Sequence, residues 1–83
     1  KRTKRRGLLR NVAVALGNSG NLSAVDPLID ALSDHEPLIR AHVVWALGEL
    51  IGKKALPILN KTLTNEEEDI VKNEVNLLKQ NYS

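Results

Sequence analysis

The sequence contains no cysteine, and this absence excludes several kinds of chemistry at once. Without thiols the chain cannot form a disulfide, supply a cysteine nucleophile or ligate an iron–sulfur cluster. Its serines and threonines fall in turns or at helix ends, and neither histidine, His35 or His42, lies in a short segment that pairs it with one of them. A glycine-rich phosphate loop is also missing. We therefore expect no catalytic residue and no metal site in this chain.

Aromatic residues make up only 2% of the sequence, so the core must be built from Leu, Val, Ile and Ala, which suits closely packed helices. No apolar run approaches the roughly 18 residues that a membrane span needs, and nothing resembles a signal peptide. Strand-type alternation is absent. The 83 residues have room for one domain. Because the chain begins abruptly at Lys1-Arg2 and without an initiator methionine, we expect it to be a fragment of a longer protein.

Acidic residues are missing from the first 25 positions, where six cations occur. These cations are Lys1, Arg2, Lys4, Arg5, Arg6 and Arg10. The remainder carries six basic and ten acidic residues. Such asymmetry indicates an anionic partner at the basic end. If the first helix includes this segment, Arg2, Arg6 and Arg10 follow one face about 6 Å apart, close to the phosphate spacing of a nucleic-acid strand. The alternative is a solvated basic tail.

A ten-residue stretch at 9–18 returns in altered form at 40–49, an offset of 31 residues. A second shift by the same offset sets Ile70, Val75 and Leu78 under Ile39, Val44 and Leu47. Self-similarity at such a period is typical of stacked supersecondary units. We expect one module over 1–83, with units at about 1–34, 35–65 and 66–83.

Apolar spacing and end signals predict about five helices. Their predicted spans are about 7–17, 24–32, 36–51, 54–63 and 66–80. Gly17 and Gly52 are predicted to end the first and third helices, and Ser23 and Ser33 to cap the second and third. Thr64 or Asn65 is predicted to cap the fifth helix, whose first turn would hold the acids Glu66 to Asp69.

Two helices per unit, short turns and the Ala-Leu-Gly ending of the first helix resemble HEAT-like repeats, an all-α solenoid fold. Each hairpin has an apolar face that it cannot bury alone, so neighbours stack. Leu8, Leu9 and Val12 would form an open apolar end that meets a preceding segment or, in the isolated chain, a second copy in a homodimer. A protein-interaction scaffold is therefore one functional hypothesis.

A second ridge runs beside the apolar stripe. Asn11 aligns with His42, Val14 with Trp45, and Asn18 with Glu49 across the two units. A polar ridge next to a basic row can read sugars or bases, and Trp45 can stack on an unpaired base. The alternative is that Trp45 packs against the neighbouring hairpin.

The stretch from Arg5 to Asn18, followed by 37–42 and the Trp45-Ala46 pair, resembles the C-terminal region of the epoxyqueuosine reductase family over roughly residues 2–51. The resemblance implies a bacterial cytoplasmic oxidoreductase that converts epoxyqueuosine to queuosine in tRNA, with cobalamin and two 4Fe–4S clusters held upstream. This chain, which lacks cysteine, would be only the appended helical module and take no part in the reaction.

The resemblance further implies that the module adjoins the upstream catalytic domain and holds the tRNA anticodon stem-loop. The residues to which it assigns RNA contact are Arg2, Arg5, Arg6, Arg10, Asn11, Asn18, His42 and Trp45. Lys4 joins these candidates as a member of the basic segment. An RNA-binding module is therefore the second functional hypothesis, and the one that the basic first helix favours.

Overall fold

The structure is a computed structural model that describes the backbone of residues 2–82 and the side chains of residues 10–82. Within that part the chain forms helices and no strand. The helices are α1 (Arg2–Ser19), α2 (Val25–Ala31), α3 (Pro37–Ile51), α4 (Ala55–Thr62) and α5 (Asp69–Asn81). Short 3₁₀ turns at Leu22–Ala24 and Gly52–Lys54 precede α2 and α4. The predicted all-α fold is confirmed.

Helix α3 is the centre of the molecule, and α1, α2, α4 and α5 all pack against it. Arg40, His42 and Glu49 are its only charged or titratable residues, so it is apolar on nearly every side, as expected of a buried helix. Its fully buried residues include Val44, Ala46 and Leu47. The other helices each bury one face on α3 and leave the opposite face exposed.

Gly17 was predicted to end the first helix, and this prediction is wrong because α1 continues to Ser19. Gly17 is buried inside α1, where an added Cβ would lie 2.7 Å from Trp45 Cζ3 and 3.0 Å from Ala46 Cα. The glycine therefore allows close helix approach rather than termination. Gly20, with φ of 70°, follows the true end of α1. Gly52 does end α3 as predicted, with φ of 58°.

The serine caps were also predicted wrongly. Asn21 Oδ1 accepts the Ser23 amide at 3.0 Å, so Asn21 caps the 3₁₀ turn and Ser23 lies inside it. Ahead of α3, Asp34 Oδ1 accepts the Glu36 amide at 2.9 Å. Ser33 lies too early to cap α3, and its hydroxyl donates back to the Asp30 carbonyl at 2.8 Å.

The start of α5 lies later than predicted, with Glu68 as the residue before it and Asp69 as the acid in its first turn. The repeat register is displaced as well: Ile70 is 43% exposed, whereas Val71 is 0% exposed. The buried stripe of α5 therefore fits an offset one residue longer than 31, which pairs Val71 with Ile39. The extra residue belongs to the longer loop between α4 and α5.

Candidate nucleic-acid interface

Helix α1 carries the cationic residues that the sequence assigns to RNA contact. It is continuous from Arg2, so Arg2, Lys4, Arg5 and Arg6 belong to the same helix as Arg10. The side chains of the first four lie outside the described residues, as does Lys1. Since α1 rises about 1.5 Å per residue, the backbone positions at 2, 6 and 10 span about 12 Å along its axis.

Arg10 and Asn11 are the described members of this flank, and both side chains are exposed. Adjacent exposed Arg and Asn side chains present a guanidinium fork and an amide, which can donate hydrogen bonds to phosphate and sugar oxygens. Asn18 is also exposed, but it lies two helical turns further along α1, about 12 Å from Arg10 along the axis. These three residues give α1 a polar surface that faces solvent.

His42 and Trp45 lie on α3 and are half-buried. His42 Nδ1 lies 2.8 Å from the Leu38 carbonyl oxygen, so this ring nitrogen donates a hydrogen bond within its own helix. Trp45 packs against the core and against Gly17, which confirms the alternative that it contacts the neighbouring repeat.

Two adjoining cavities, of about 310 and 290 Å³, share Trp45 and Glu74 in their linings. The first also contains His42, and the second also contains Glu49. The structure therefore separates the candidate RNA residues into two groups. Arg10 and Asn11 lie beside further cationic positions, whereas His42 and Trp45 lie beside carboxylates.

Arg40 holds two loops of the fold together, a role that sequence reasoning did not predict. Its Nε and Nη2 donate to Glu66 Oε1 and Oε2 at 2.7 and 2.8 Å, and its Nη1 donates to the Asp34 carbonyl at 2.7 Å. Hydrogen bonding to Arg40 lowers the pKa of Glu66, and the same bond raises the pKa of Arg40. The sequence signal for this ion pair was a single arginine within the apolar α3 segment, followed later in the chain by a run of acidic residues.

The acids Glu66 to Asp69 were predicted to lie in the first turn of the fifth helix, and only Asp69 does. The Glu66 side chain is largely buried against Arg40, and its Oε2 also accepts the Glu68 amide at 3.1 Å. Glu67, Glu68 and Asp69 are exposed. This cluster holds the loop before α5 and does not resemble a catalytic site.

The open apolar end is described only in part. Val12 is 43% exposed, and the side chains of Leu8 and Leu9 lie outside the described residues. Val12 lines a small apolar notch of about 180 Å³ together with Leu16 and Pro27.

The residues of this chain do not fit an iron–sulfur cluster, because the sequence supplies no thiolate. In the described part of the chain, no three His, Asp or Glu residues are grouped so that they could hold a metal ion. Nor does any helix between residues 2 and 82 combine the length and apolar character required to cross a membrane.

A family model described as HEAT repeats matches residues 4–79. The chain belongs to the HEAT-repeat family. The match includes α1 from position 4 onward and α5 up to position 79, so it covers most of the candidate interface and most of the lining of the Trp45 cavities. No solved structure gives a significant match.

Three curated relatives with different names contain a segment similar to this chain. Epoxyqueuosine reductase of Staphylococcus aureus is 32% identical over 62 residues, which cover 74% of this chain and 16% of the relative. Phycocyanobilin lyase subunit alpha of a Picosynechococcus species is 41% identical over 56 residues, covering 68% and 21%. Deoxyhypusine hydroxylase of Schizosaccharomyces pombe is 39% identical over 57 residues, covering 69% and 18%.

The chain thus spans about one fifth or less of the length of these relatives. The resemblance of its HEAT repeats to epoxyqueuosine reductase is confirmed. The shared region is a helical repeat module that occurs in relatives with different names.

Proposed function

We propose that this HEAT-repeat chain is the tRNA-binding module of a cytoplasmic epoxyqueuosine reductase. In this proposal α1 holds the anticodon stem-loop while an upstream domain, with its cobalamin and 4Fe–4S clusters, reduces the modified base. The chain itself contributes no reacting group. The similarity to epoxyqueuosine reductase supports the choice of tRNA among polyanions.

The observation that carries the proposal is the continuity of α1 through the basic segment. A helix fixes the spacing of Arg2, Arg6 and Arg10, whereas a disordered tail would not. Arginine presents a planar fork that can contact phosphate through two hydrogen bonds. A rigid row therefore suits a strand whose phosphates recur at a regular distance.

The electrostatic surroundings favour α1 over α3 as the surface for the proposed RNA contact. Arg10 and Asn11 are exposed at the cationic end of the chain. Trp45, in contrast, lines cavities that also contain Glu49 and Glu74, and these carboxylates repel phosphate. We therefore place the principal contacts on the cations of α1 with Asn11, extended by Asn18, and give His42 and Trp45 no principal role.

Salt dependence tests this proposal. Binding of a tRNA anticodon stem-loop is measured from about 50 to 400 mM salt, and the logarithm of the association constant is plotted against that of the salt concentration. Full engagement of the six N-terminal cations would give a slope of about −4 to −5. A slope near zero, or no saturable binding at low salt, would remove the proposal.

One observation favours a protein-interaction scaffold as a second candidate. Val12 is 43% exposed and lines an apolar notch between α1 and α2. A scaffold predicts a defined complex with another polypeptide that persists in moderate salt, since burial of apolar surface is not screened. The stem-loop titration separates the two candidates, because the scaffold predicts only weak and nonspecific RNA binding.

A further inference from the structure

We propose that a groove beside Trp45 binds a peptide segment of a partner protein, in which an arginine or lysine is flanked by apolar side chains. The Trp45 groove is defined as the two adjoining cavities of about 310 and 290 Å³ that share Trp45 and Glu74. This inference goes beyond the proposed tRNA function, because it concerns a different surface and a partner of opposite charge.

The groove concentrates the exposed apolar surface of the described chain. Ile70, Leu77 and Tyr82 are exposed by 43%, 53% and 48%, and all three belong to its lining. Only two other large hydrophobic residues between positions 10 and 82, Val12 and Leu22, are exposed to a comparable degree. Clustered apolar exposure marks an interaction surface more strongly than scattered residues do.

These residues form a second face of α5. Ile70, Glu74, Leu77 and Asn81 follow one helical stripe, while Val71, Val75 and Leu78 follow the stripe that packs on the core. Helix α5 therefore carries two exposed apolar side chains, Ile70 and Leu77, on a stripe beside its core stripe. These two side chains are available to a partner.

The charges around the groove select a cationic partner. Glu49 lies one turn after Trp45 on α3, and Glu74 approaches from α5. Among the residues whose side chains the structure describes, no lysine or arginine lines either cavity. Two carboxylates beside an indole match a guanidinium or ammonium group, which gains ion pairing and a cation–π contact. The same carboxylates disfavour RNA.

Trp45 is a pre-ordered anchor. Its ring packs against Gly17 so closely that an added Cβ would lie 2.7 Å from Cζ3. A side chain already fixed by packing loses little further freedom when a ligand binds, which lowers the entropic cost of association. The geometry therefore favours a short peptide that fits around an immobile indole.

The experiment uses the intrinsic fluorescence of the full 83-residue chain, because Trp45 is its only tryptophan. The probes are three capped peptides without aromatic residues, in which arginine, citrulline or glutamate stands between leucines. We expect the arginine peptide to change Trp45 emission saturably, the citrulline peptide to bind about fivefold more weakly and the glutamate peptide to have no effect.

The matched variants are Glu49→Gln with Glu74→Gln in one chain, and Glu67→Gln with Glu68→Gln in the other. Both remove two carboxylates, but Glu67 and Glu68 are exposed and lie outside the groove lining. We expect the first pair to weaken binding of the arginine peptide about fivefold and the second pair to leave it unchanged, with the helical circular dichroism preserved in both.

Several results would overturn the proposal. These are equal binding of the three peptides, no saturation up to about 5 mM peptide, or equal loss in both variant pairs. A change in Trp45 emission on adding single-stranded RNA would place RNA in the groove instead. Emission that depends on protein concentration alone would show that a second copy covers it.

Discussion

Arg40 and Glu66, 26 residues apart, form a two-point ion pair that joins consecutive repeats. The Arg40 side chain is 14% exposed and that of Glu66 is 7% exposed, so both charges are largely withdrawn from solvent. Arg40 also holds the Asp34 carbonyl. The arginine thus connects the loop before α3 with the loop before α5.

Replacing Glu66 by Gln should lower the free energy of unfolding by about 1–2 kcal/mol, because a charged hydrogen-bond partner of the sheltered Arg40 is lost. Glu67→Gln is the matched control, since Glu67 is exposed, and it should change stability by no more than about 0.5 kcal/mol. Urea denaturation followed by circular dichroism measures both. Equal stability of the two variants would contradict a bracing role for the pair.

The contribution of Glu66 should depend on pH in a definite direction. Arg40 lowers the pKa of Glu66 in the folded chain relative to an ordinary value of about 4.3. A carboxyl with a lowered folded pKa stabilises the protein above its unfolded pKa, and this contribution is lost as the pH falls through the folded pKa. The stability difference between the native chain and Glu66→Gln should therefore shrink below about pH 4. A constant difference from neutral to acid pH would show that the ion pair contributes no such term.

The helices were predictable because hydrophobic periodicity is a local signal, and the central role of α3 follows from its nearly unbroken apolar sequence. The structural roles of particular residues were harder to predict from the sequence. Gly17 carries the same local signal as a helix-ending glycine, and only the position of Trp45 shows that close packing requires it. Arg40 likewise has its partner 26 residues away, beyond any local pattern.

For the candidate site, the charge imbalance predicts a cationic face on the first helix, and the structure extends the backbone of that helix to Arg2. The alignment of His42 with Asn11 predicted a ridge shared by the first two units, but it contained no information about α5 in the third unit. Glu74 of α5 lines the cavities beside Trp45 and adds a negative charge there.

The two repeat glycines should respond differently to alanine. At Gly17 a Cβ would meet the Trp45 ring at 2.7 Å and the Ala46 backbone at 3.0 Å, whereas at Gly48 it would meet Leu78 Cδ1 at 2.9 Å. The end of the Leu78 side chain can rotate away from an added Cβ, whereas the packed Trp45 ring and the Ala46 backbone cannot. Gly17→Ala should therefore lower the free energy of unfolding by about 1–3 kcal/mol. Gly48→Ala should lower it less, because the milder clash is offset by the preference of alanine for helix, about 1 kcal/mol. Thermal unfolding measures both, and the reverse order would contradict the packing described here.

The register of α5 makes a further prediction. Val71 is 0% exposed and Ile70 is 43% exposed, so Val71→Ala should destabilise the chain by about 2 kcal/mol and Ile70→Ala by at most about 1 kcal/mol. Chemical denaturation gives the comparison. A larger loss at Ile70 would favour the offset of 31 residues and place Ile70, rather than Val71, on the core.

The most direct measurement of the cationic role of α1 compares two charge-matched variants in stem-loop binding across salt. Arg6→Ala with Arg10→Ala removes two cations from α1, and Lys53→Ala with Lys54→Ala removes two exposed cations from the turn before α4. The arginine pair should weaken binding and make the salt slope shallower by about 2, while the lysine pair should change the slope by less than about 0.5. Equal effects of the two pairs would show that RNA senses only net charge, and would contradict a defined interface on α1.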